Sequence, residues 1–290
     1  MNGQGKLLTH FLKNADKLVI PVYQRNYDWK EEHCKKLYSD LVKTVREGKR
    51  WHFFGGIVSV SDPMGSSSDY LVIDGQQRIT TVSLLLLAIA NLVKAGIVTP
   101  KDPNLYDVIT KKYLVDEINP KQRKMKLKPI KGDQDSYDRL WGDPSEYNQS
   151  SRITQNYLYF YNQIQRDDIS VDQLFSAVEK LQIIDITLTP PDDDPQLVFE
   201  SLNSTGLDLN EGDKIRNFVL MRRSMEEQEQ FYDDYWSPIE KNASYDRQTN
   251  SYDVSPFIRD YLGIKERRLT AMKEIYQEFK DYVEKRGQIE

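Results

Sequence analysis

Short apolar runs and alternating apolar and polar positions predict strands in the first third of the chain. The clearest cover residues 17–22, the segment HFFGGIVSVS that begins at His52, and YLVID, which ends at Asp74. The loop DPMGSSSD between the last two is rich in proline, glycine and serine, which predicts a hairpin-type connection. A further predicted strand, IIDITLTPP, ends at Pro190 and Pro191.

Apolar residues three and four positions apart predict helices elsewhere. Leu37, Leu41 and Val45 follow this spacing, and Gly48 is a stop signal. Residues 79–93 are apolar on nearly every side, which predicts a buried helix rather than a surface helix. The segments RITQNYLYFYNQI and VDQLFSAVEKLQ also have helical patterns.

Two later helices carry start signals. Asp194 is a predicted N-cap with Pro195 at the first helical position, and Gly206 is a candidate stop. Asn210 is the predicted N-cap of NEGDKIRNFVLMRR, whose first turn is acidic.

The order of these elements predicts an α+β fold. We expect an α/β core over residues 1–130, followed by a mostly helical subdomain over 131–290. Near the boundary, KQRKMKLKPIK carries six basic residues and no acid. It could contact phosphates, but its alternating pattern favours a solvated edge strand that lysines protect.

Composition narrows the function classes. The 290 residues are 39% hydrophobic and 29% charged, with a formal net charge of −5. A global basic field is therefore absent, which argues against non-specific DNA binding by this chain alone. The single Cys34 permits neither an internal disulfide nor a cysteine-rich zinc cluster. The apolar run 82–93 is too short to span a bilayer, so we expect a cytoplasmic protein without a membrane partner.

The stretch VIDGQQRITT places polar residues between two segments that should be buried. A strand that ends at Asp74 and turns into a helix predicts an anion site, because the first helical N–H groups lack partners. Gly75 allows a sharp turn and a close approach to a ligand. Arg78 supplies donors that suit a phosphate, and we expect the hydroxyls of Thr80 and Thr81 in the first helical turn.

Asp74 is unusual beside an anion. It suggests a carboxylate that holds a divalent metal bridging to the phosphates, or a base. Gln76 and Gln77 could position water or a nucleotide. The structural alternative is that Asp74 and Thr80 cap the helix and that Arg78 pairs with a surface acid.

Three other stretches combine aromatic, glycine or polar residues. IPVYQRNYDW could stack on a base and bind phosphate, or its Tyr23 and Trp29 could be core anchors. Gly55 and Gly56 within HFFGGIV predict a bulge or a close approach by a backbone or ligand. FESLNSTGLDLNEGDKIRN is a ligand-binding candidate whose alternative is a capped connection between two helices.

Taken in order, IPVYQRNYDW, HFFGGIV, VIDGQQRITT and FESLNSTGLDLNEGDKIRN resemble the motif series of the GmrSD restriction-enzyme N-terminal family, also known as domain of unknown function 262. The resemblance covers most of residues 7–220, and DGQQR followed by TT is its most specific part. It implies a ParB/sulfiredoxin-like α/β core with a helical addition. It also implies nucleoside-triphosphate binding or hydrolysis and restriction of modified phage DNA.

The resemblance extends to individual residues. The pocket motif is matched by Asp74, Gly75, Gln76, Gln77 and Arg78. The first motif is matched by Gln24 and Arg25, and the last by Asn203, Gly206, Asp213 and Asn217. The residues expected to bind nucleotide are therefore Gln24, Arg25, Gly75, Gln76, Arg78, Thr80, Thr81, Asn203 and Asp213. Asp74 and Gln77 are the expected catalytic residues, with Asp74 also holding Mg²⁺.

Long members of the family carry a C-terminal nuclease domain of the HNH type, which needs a histidine to activate water. This chain has only His10, His33 and His52, so residues 53–290 contain no histidine. We therefore expect no HNH nuclease activity here. Any action on DNA would require a missing C-terminal domain or a partner nuclease.

The expected function is that of a nucleotide-binding, hydrolysing regulatory domain of a phage-defence or modification-dependent restriction system. Arg78 and the helix start would hold the phosphates, and Gln24 and Arg25 would close the opposite wall. The alternative is a non-catalytic DNA-binding or interaction module on a ParB-like scaffold. A third option is direct DNA nicking by the core.

Overall fold

The chain folds into two compact units, each with its own core. The computed structural model describes residues 2–61, 69–116, 124–166, 169–203, 209–221, 223, 225–243, 245–246 and 251–286. Unit 1 comprises Met1–Pro21 and Asn26–Asp193, and unit 2 comprises Val22–Arg25 and Asp194–Glu290. Residue 130, where we predicted the domain boundary, lies within unit 1.

A mixed six-stranded sheet forms the framework of unit 1 in the described part of the chain. The strands of both units among the described residues are β1 (Asn2–Leu7), β2 (Lys17–Val19), β3 (His52–Ser61), β4 (Asp69–Asp74), β5 (Val115–Asp116), β6 (Lys124–Met125), β7 (Leu127–Lys128), β8 (Leu181–Leu188), β9 (Tyr245–Asp246) and β10 (Ser251–Tyr252). Six of them form this sheet, whereas β5 pairs with β6 and β9 pairs with β10 in two-stranded sheets. The sheet order is β1-β8-β3-β4-β2-β7. β3 pairs with β8 in parallel and with β4 in antiparallel fashion.

Helices surround this sheet and build unit 2. They are α1 (Leu8–Asn14), α2 (Glu31–Arg46), α3 (Gln76–Lys94), α4 (Leu105–Ile109), α5 (Lys131–Arg139), α6 (Arg152–Ile164), α7 (Val171–Val178), α8 (Pro195–Asn203), α9 (Glu211–Leu220), α10 (Met225–Phe231), α11 (Ser237–Asn242), α12 (Ser255–Glu266) and α13 (Ile275–Arg286). Short π-helical turns cover Thr110–Leu114 and Tyr232–Trp236. Helices with a mixed sheet confirm the predicted α+β class.

The central helix of unit 1 is α3, which packs against α4 and α6. Its apolar residues from Val82 to Leu92 are almost completely buried, as the absence of a polar face predicted. Over 19 residues, α3 is the one described helix long and apolar enough to cross a membrane by length and composition. This helix is longer than the apolar run 82–93 had led us to expect. Within its most apolar window, 83% of the residues are buried, as is typical of a core helix.

Most predicted elements of the first unit are present, with one strand of the six-stranded sheet missed. β2, β3, β4 and β8 lie where the apolar patterns placed them. The missed strand is β1, whose sequence NGQGKL contains two glycines and few strand-forming residues. It is held in the sheet by antiparallel pairing with β8, a long-range contact that local propensity does not report.

The basic segment KQRKMKLKPIK contributes β7 at the edge of the sheet, as predicted. Lys126, however, is not solvated. It is 7% exposed, and its Nζ donates to the carbonyl oxygens of Leu12, Lys13 and Lys112 at 3.0–3.1 Å. Burial lowers the pKa of Lys126. One lysine of this segment therefore holds α1 and the first π-helical turn together instead of protecting an edge.

Unit 2 is helical and has a separate core around α9. Phe218 on α9 makes edge-to-face contacts with Tyr276 and Phe279 of α13, at centroid distances of 6.1 and 6.2 Å. Both predicted caps are formed. Asp194 accepts from the N–H of Gln196, and Asn210 accepts from the N–H of Asp213 at 2.7 Å. The predicted stop at Gly206 lies outside the described residues.

Candidate functional site

The first candidate site is the junction between β4 and α3 in unit 1. Gly75 joins them in a left-handed conformation with φ +92°. A Cβ at Gly75 would lie 3.0 Å from the Gly56 carbonyl oxygen and 3.0 Å from Ile57 Cγ1. Both backbone strain and lack of space therefore require glycine here.

The helix begins earlier than we predicted. Because Gly75 alone makes the turn, α3 starts at Gln76. Gln76, Gln77 and Arg78 thus form the first helical turn, and Thr80 and Thr81 lie one turn later. The expectation that the two threonines occupy the first turn was wrong, and both are buried.

Asp74 does not cap this helix. Gly75, the N-cap residue, makes no side-chain cap, and the first turn carries no acidic residue. Asp74 instead approaches Arg78, with Oδ2 3.6 Å from Nη1. The two side chains are 42% and 32% exposed, respectively. A carboxylate and a guanidinium thus face solvent together at an uncapped helix start.

Arg78 lies against the paired glycines of β3. Gly55 has φ +123°, and a Cβ there would lie 2.7 Å from Arg78 Nε. Arg78 Nη1 donates to the Gly56 carbonyl oxygen at 2.8 Å. The pairing of β3 with β8 shifts register between Phe53 and Gly55, which confirms the predicted bulge. Gly55 therefore makes room for the arginine and Gly56 supplies the acceptor, so two separate sequence motifs form one structure.

Gln77 anchors the loop that follows Asn26. Its Oε1 accepts from the N–H groups of Asp28 at 3.0 Å and Trp29 at 3.2 Å. Its Nε2 donates to the Asn26 carbonyl oxygen at 3.2 Å. Both ends of the amide thus hold loop backbone, which gives Gln77 a positioning role in this structure. Its catalytic role stays a prediction.

A buried hydrogen-bond network extends from the second turn of α3. The Tyr27 hydroxyl lies 2.7 Å from Thr81 Oγ1 and accepts from Asn156 Nδ2 at 2.9 Å. Asn156 Nδ2 also donates to the Trp29 carbonyl oxygen at 2.7 Å. Thr81 therefore supports the loop through Tyr27. Asn156, from α6, was missed because its role depends on a contact more than a hundred residues away.

Asp133 also supports the Tyr27 loop, and sequence patterns did not identify it. Its Oδ2 accepts from the backbone N–H of Tyr27 at 2.6 Å. Burial raises the pKa of Asp133 to about 6, and the Tyr27 N–H opposes that rise. An acid at the start of a helix resembles an ordinary cap in sequence, so no local signal distinguishes it.

The remaining predicted residues of this junction are buried. Gln76 and Thr80 are 8% and 2% exposed. Trp29 is half-buried, stacked on His33 at 5.4 Å and edge-on to Phe54 at 6.5 Å. One face of the Trp29 ring is therefore already covered by His33, as the core-anchor alternative for this aromatic stretch predicts.

The second candidate site lies in unit 2 and centres on Arg216. Its Nε donates to the Tyr23 carbonyl oxygen at 2.9 Å. Its Nη1 donates to Glu240 at 2.7 Å and its Nη2 to Asp213 at 2.9 Å. Glu240 also accepts from Trp236 Nε1 at 2.7 Å. All three guanidinium nitrogens are thus engaged, and the side chain is 8% exposed.

Arg25 and Asp213, predicted from different motifs, are electrostatically coupled in unit 2. Burial raises the pKa of Asp213, and the Arg216 and Arg25 guanidiniums oppose that rise. Gln24 is 5% exposed. Asn203 is the last residue of α8, and its side chain lies outside the described residues. The first motif therefore contributes Val22–Arg25 to unit 2 and the following loop to unit 1.

The predicted Mg²⁺ could bind Asp74 at the β4–α3 junction in one coordination mode. No group of three His, Cys, Asp or Glu side chains among the described residues could hold a metal ion. Mg²⁺ commonly binds one or two carboxylates together with substrate phosphates and water. Asp74, whose side chain is 42% exposed, suits that mode, in which phosphate and water would supply the other ligands.

The motif series, and not the fold alone, indicates a domain of a restriction system. The family model of the N-terminal domain of GmrSD restriction endonuclease matches residues 8–220, and the chain belongs to that family. Membership supports a role in phage defence. No curated protein matches the chain significantly.

Proposed function

We propose that this chain binds and hydrolyses a nucleoside triphosphate as a regulatory domain of its restriction system. The observation that carries the proposal is the position of Arg78. Its side chain lies against Gly55 and Gly56 at the start of α3, where the N-cap residue makes no side-chain cap, and beside the exposed carboxylate of Asp74. Oriented N–H groups, a helix dipole and a guanidinium together attract phosphate.

Each group at the junction has a role in this proposal. Arg78 binds phosphate oxygens with the donors that its Gly56 contact leaves over, and the N-terminus of α3 contributes its dipole. Asp74 would hold a Mg²⁺ that neutralises phosphate charge when bound. Gln77 keeps the backbone of residues 26–29 against the site. Gly75 and Gln76 bring backbone close to the ligand.

The residues of unit 2 enter the proposal separately. Arg25 is half-buried, and its guanidinium acts electrostatically on Asp213, whereas Arg216 is saturated by its acids. We assign nucleotide contacts to Gln24, Arg25 and Asp213 on the strength of the family motifs. Thr80, Thr81 and Asn203 belong to the same family-based assignment. Both threonines are buried, and Thr81 supports the loop through its hydrogen bond with the Tyr27 hydroxyl.

Ligand-dependent thermal unfolding tests the proposal, because a ligand that binds only the native state raises the midpoint. We expect a triphosphate to raise the midpoint more with Mg²⁺ than with a chelator. Calorimetric titration should then show that Arg78→Ala abolishes binding and that Arg78→Lys restores part of it, since lysine cannot make a bidentate contact.

Arg139→Ala is the matched control. Arg139 also pairs with an acid four residues earlier, Asp135, at 2.8 Å. Unlike Arg78, its guanidinium does not lie against a strand glycine in the described structure. Its replacement should leave triphosphate affinity unchanged. Equal affinity in Arg78→Ala and wild type would refute the phosphate role. A midpoint raised by short duplex DNA, and not by any triphosphate, would support the DNA-binding module instead.

Cleavage of DNA is assigned to a nuclease domain or partner beyond these 290 residues. Purified protein should therefore leave modified and unmodified plasmid intact with Mg²⁺ or Mn²⁺, with or without triphosphate. Nicking that disappears in Asp74→Ala would show that the core itself cuts DNA, and the regulatory proposal would fail.

A further inference from the structure

Unit 1 contains a cavity of about 500 Å³ at the other end of α3. The cavity is lined by the last turn of α3, the segment 140–147 that follows α5, and the middle of α6. Small-molecule sites in proteins have volumes of this order. Since α3 has 19 residues, its two ends lie about 27 Å apart. The cavity is therefore distinct from the β4–α3 junction.

Four of the residues that line the cavity are aromatic. Tyr147 and Tyr157 meet edge-to-face at 5.8 Å, and Tyr157 and Tyr161 are tilted at 5.9 Å. Trp141 is the fourth aromatic residue. Tyr157 is 2% exposed and forms the floor, whereas the other three rings are half-buried. Half-buried aromatic side chains beside a buried one suit a flat aromatic ligand.

Hydrogen bonds fix this wall in place. Asn91 Nδ2 donates to the Tyr157 hydroxyl at 2.8 Å, and the Tyr147 hydroxyl donates to the Leu140 carbonyl oxygen at 3.3 Å. The final carbonyl groups of α3 are occupied as well, since Asn91 O accepts from the N–H of Ala95 at 2.9 Å. Asn91, Tyr147 and Tyr157 are therefore held in place before a ligand arrives.

Among the described residues that line the cavity, Lys94 is the single charged one. It is exposed at the rim, with Nζ 5.8 Å from the centroid of the Tyr106 ring. No carboxylate belongs to this described lining, although Asp143 and Glu146 lie in the segment 140–147 that contributes to it. Aromatic side chains that stack on a ring, with one cation at the edge, favour a planar ligand that bears an anionic group.

We propose that this cavity binds a nucleoside monophosphate, with the base against Trp141 and Tyr161 and the phosphate at Lys94. Asn91 and the tyrosine hydroxyls provide the polar contacts at the base edge. This site is independent of triphosphate binding at the junction, so either can exist without the other. The YLYFY run of α6 supplies two of the rings, Tyr157 and Tyr161. Helix formation alone does not require so many aromatic residues.

Calorimetric titration with AMP, CMP, GMP and UMP in chelator tests the proposal, with adenosine and inorganic phosphate as partial ligands. At least one monophosphate should bind, and each partial ligand should bind more weakly. Lys94→Met should weaken binding about tenfold by removing a charge-assisted contact. Tyr161→Leu should weaken it about tenfold by removing a stacking ring.

Two control variants separate binding in this cavity from binding at the junction and from a general loss of positive charge. Lys111→Met removes an exposed lysine elsewhere in unit 1 and should not change the affinity. Arg78→Ala should also bind monophosphate as wild type does. The proposal is overturned if no monophosphate binds in the millimolar range, if Lys94→Met and Tyr161→Leu bind normally, or if Arg78→Ala abolishes binding.

Discussion

Two arginines from two family motifs occupy opposite environments. Arg216 in unit 2 is 8% exposed, and all three of its guanidinium nitrogens donate to protein oxygens. Arg78 in unit 1 is 32% exposed. Within the described residues it has one hydrogen bond, to Gly56 O, and one longer ion pair with Asp74. Arg216 is committed to the fold, and Arg78 keeps donors for a ligand.

The contrast shows how an arginine in a motif can be assigned to the fold or to ligand binding. Both lie on the first two turns of a helix near an acid, and the sequence around each looks equally functional. The number of donors already satisfied by protein separates them, because an unsatisfied exposed guanidinium gains most from a phosphate. The following predictions test this contrast, in order of their expected effect on stability.

The largest loss should come from Arg216→Ala. This change leaves the acids Asp213 and Glu240 without their cation, and removing one partner of a buried ion pair costs about 3–5 kcal/mol. Arg78→Ala should cost about 1 kcal/mol, the value of one hydrogen bond. Urea unfolding of both variants measures the difference. Equal losses would mean that Arg78 is also structural.

The second effect concerns the glycine that shapes the junction. Gly75→Ala should destabilise the protein by about 2–3 kcal/mol, because a side chain at φ > 0 is strained and meets Gly56 and Ile57. Gly48 is the matched control, since it has φ +62° and open space around a Cβ. Gly48→Ala should cost about 1 kcal/mol. A similar cost at both positions would remove the steric part of the explanation.

A pH-dependent effect should arise from Asp133. Its pKa is raised to about 6 in the folded state by burial, against about 3.9 when unfolded. The folded state therefore binds more protons between these values, and wild-type stability falls as pH rises through that window. Asp133→Asn cannot titrate, so its stability relative to wild type should increase by about 1 kcal/mol from pH 5 to pH 7.5.

Denaturant unfolding of both proteins at the two pH values measures this change. The amide of Asp133→Asn keeps an acceptor oxygen for the Tyr27 N–H. Both proteins therefore retain the hydrogen bond that is 2.6 Å long in the wild type. A pH-independent difference between the two proteins would show that Asp133 has an ordinary pKa. Activity is not needed for the test.

Local patterns were sufficient where a residue's role depends on its sequence neighbours. The strands β3, β4 and β8, the buried α3 and the cap at Asn210 follow from spacing, apolar runs and cap chemistry. The family motifs also identified Gly75 and Arg78. Within a strand and the helix after it, sequence neighbours become spatial neighbours, which is why this part was predictable.

Long-range contacts set the rest. Nothing near Gly55 indicates that its missing side chain makes room for Arg78, twenty-three positions later. Asn156 and Asp133 support the Tyr27 loop from α6 and α5, and β1 depends on β8. The start of α3 was placed too late because Gln76 and Gln77 resemble turn residues, although Gly75 makes the turn alone.

The smallest effect on stability should come from Asp74→Asn, which also tests the chemistry of the junction most directly. Asp74 caps no helix and lies 3.6 Å from Arg78, so its charge can be removed for about 0.5 kcal/mol or less. The amide keeps the shape of the side chain and weakens its hold on a metal. We expect triphosphate affinity in chelator to be retained.

Phosphate release should behave differently. If Asp74 holds Mg²⁺ or activates water, steady-state release should fall by about 100-fold or more, and the Mg²⁺-dependent rise in the unfolding midpoint should disappear. Asp135→Asn, which removes the acid beside Arg139, is the control and should be neutral. Wild-type release from Asp74→Asn would restrict Asp74 to orienting Arg78. The exposed pair in unit 1 would then be a binding site without the hydrolytic step, and the difference from the saturated Arg216 would lie in ligand binding alone.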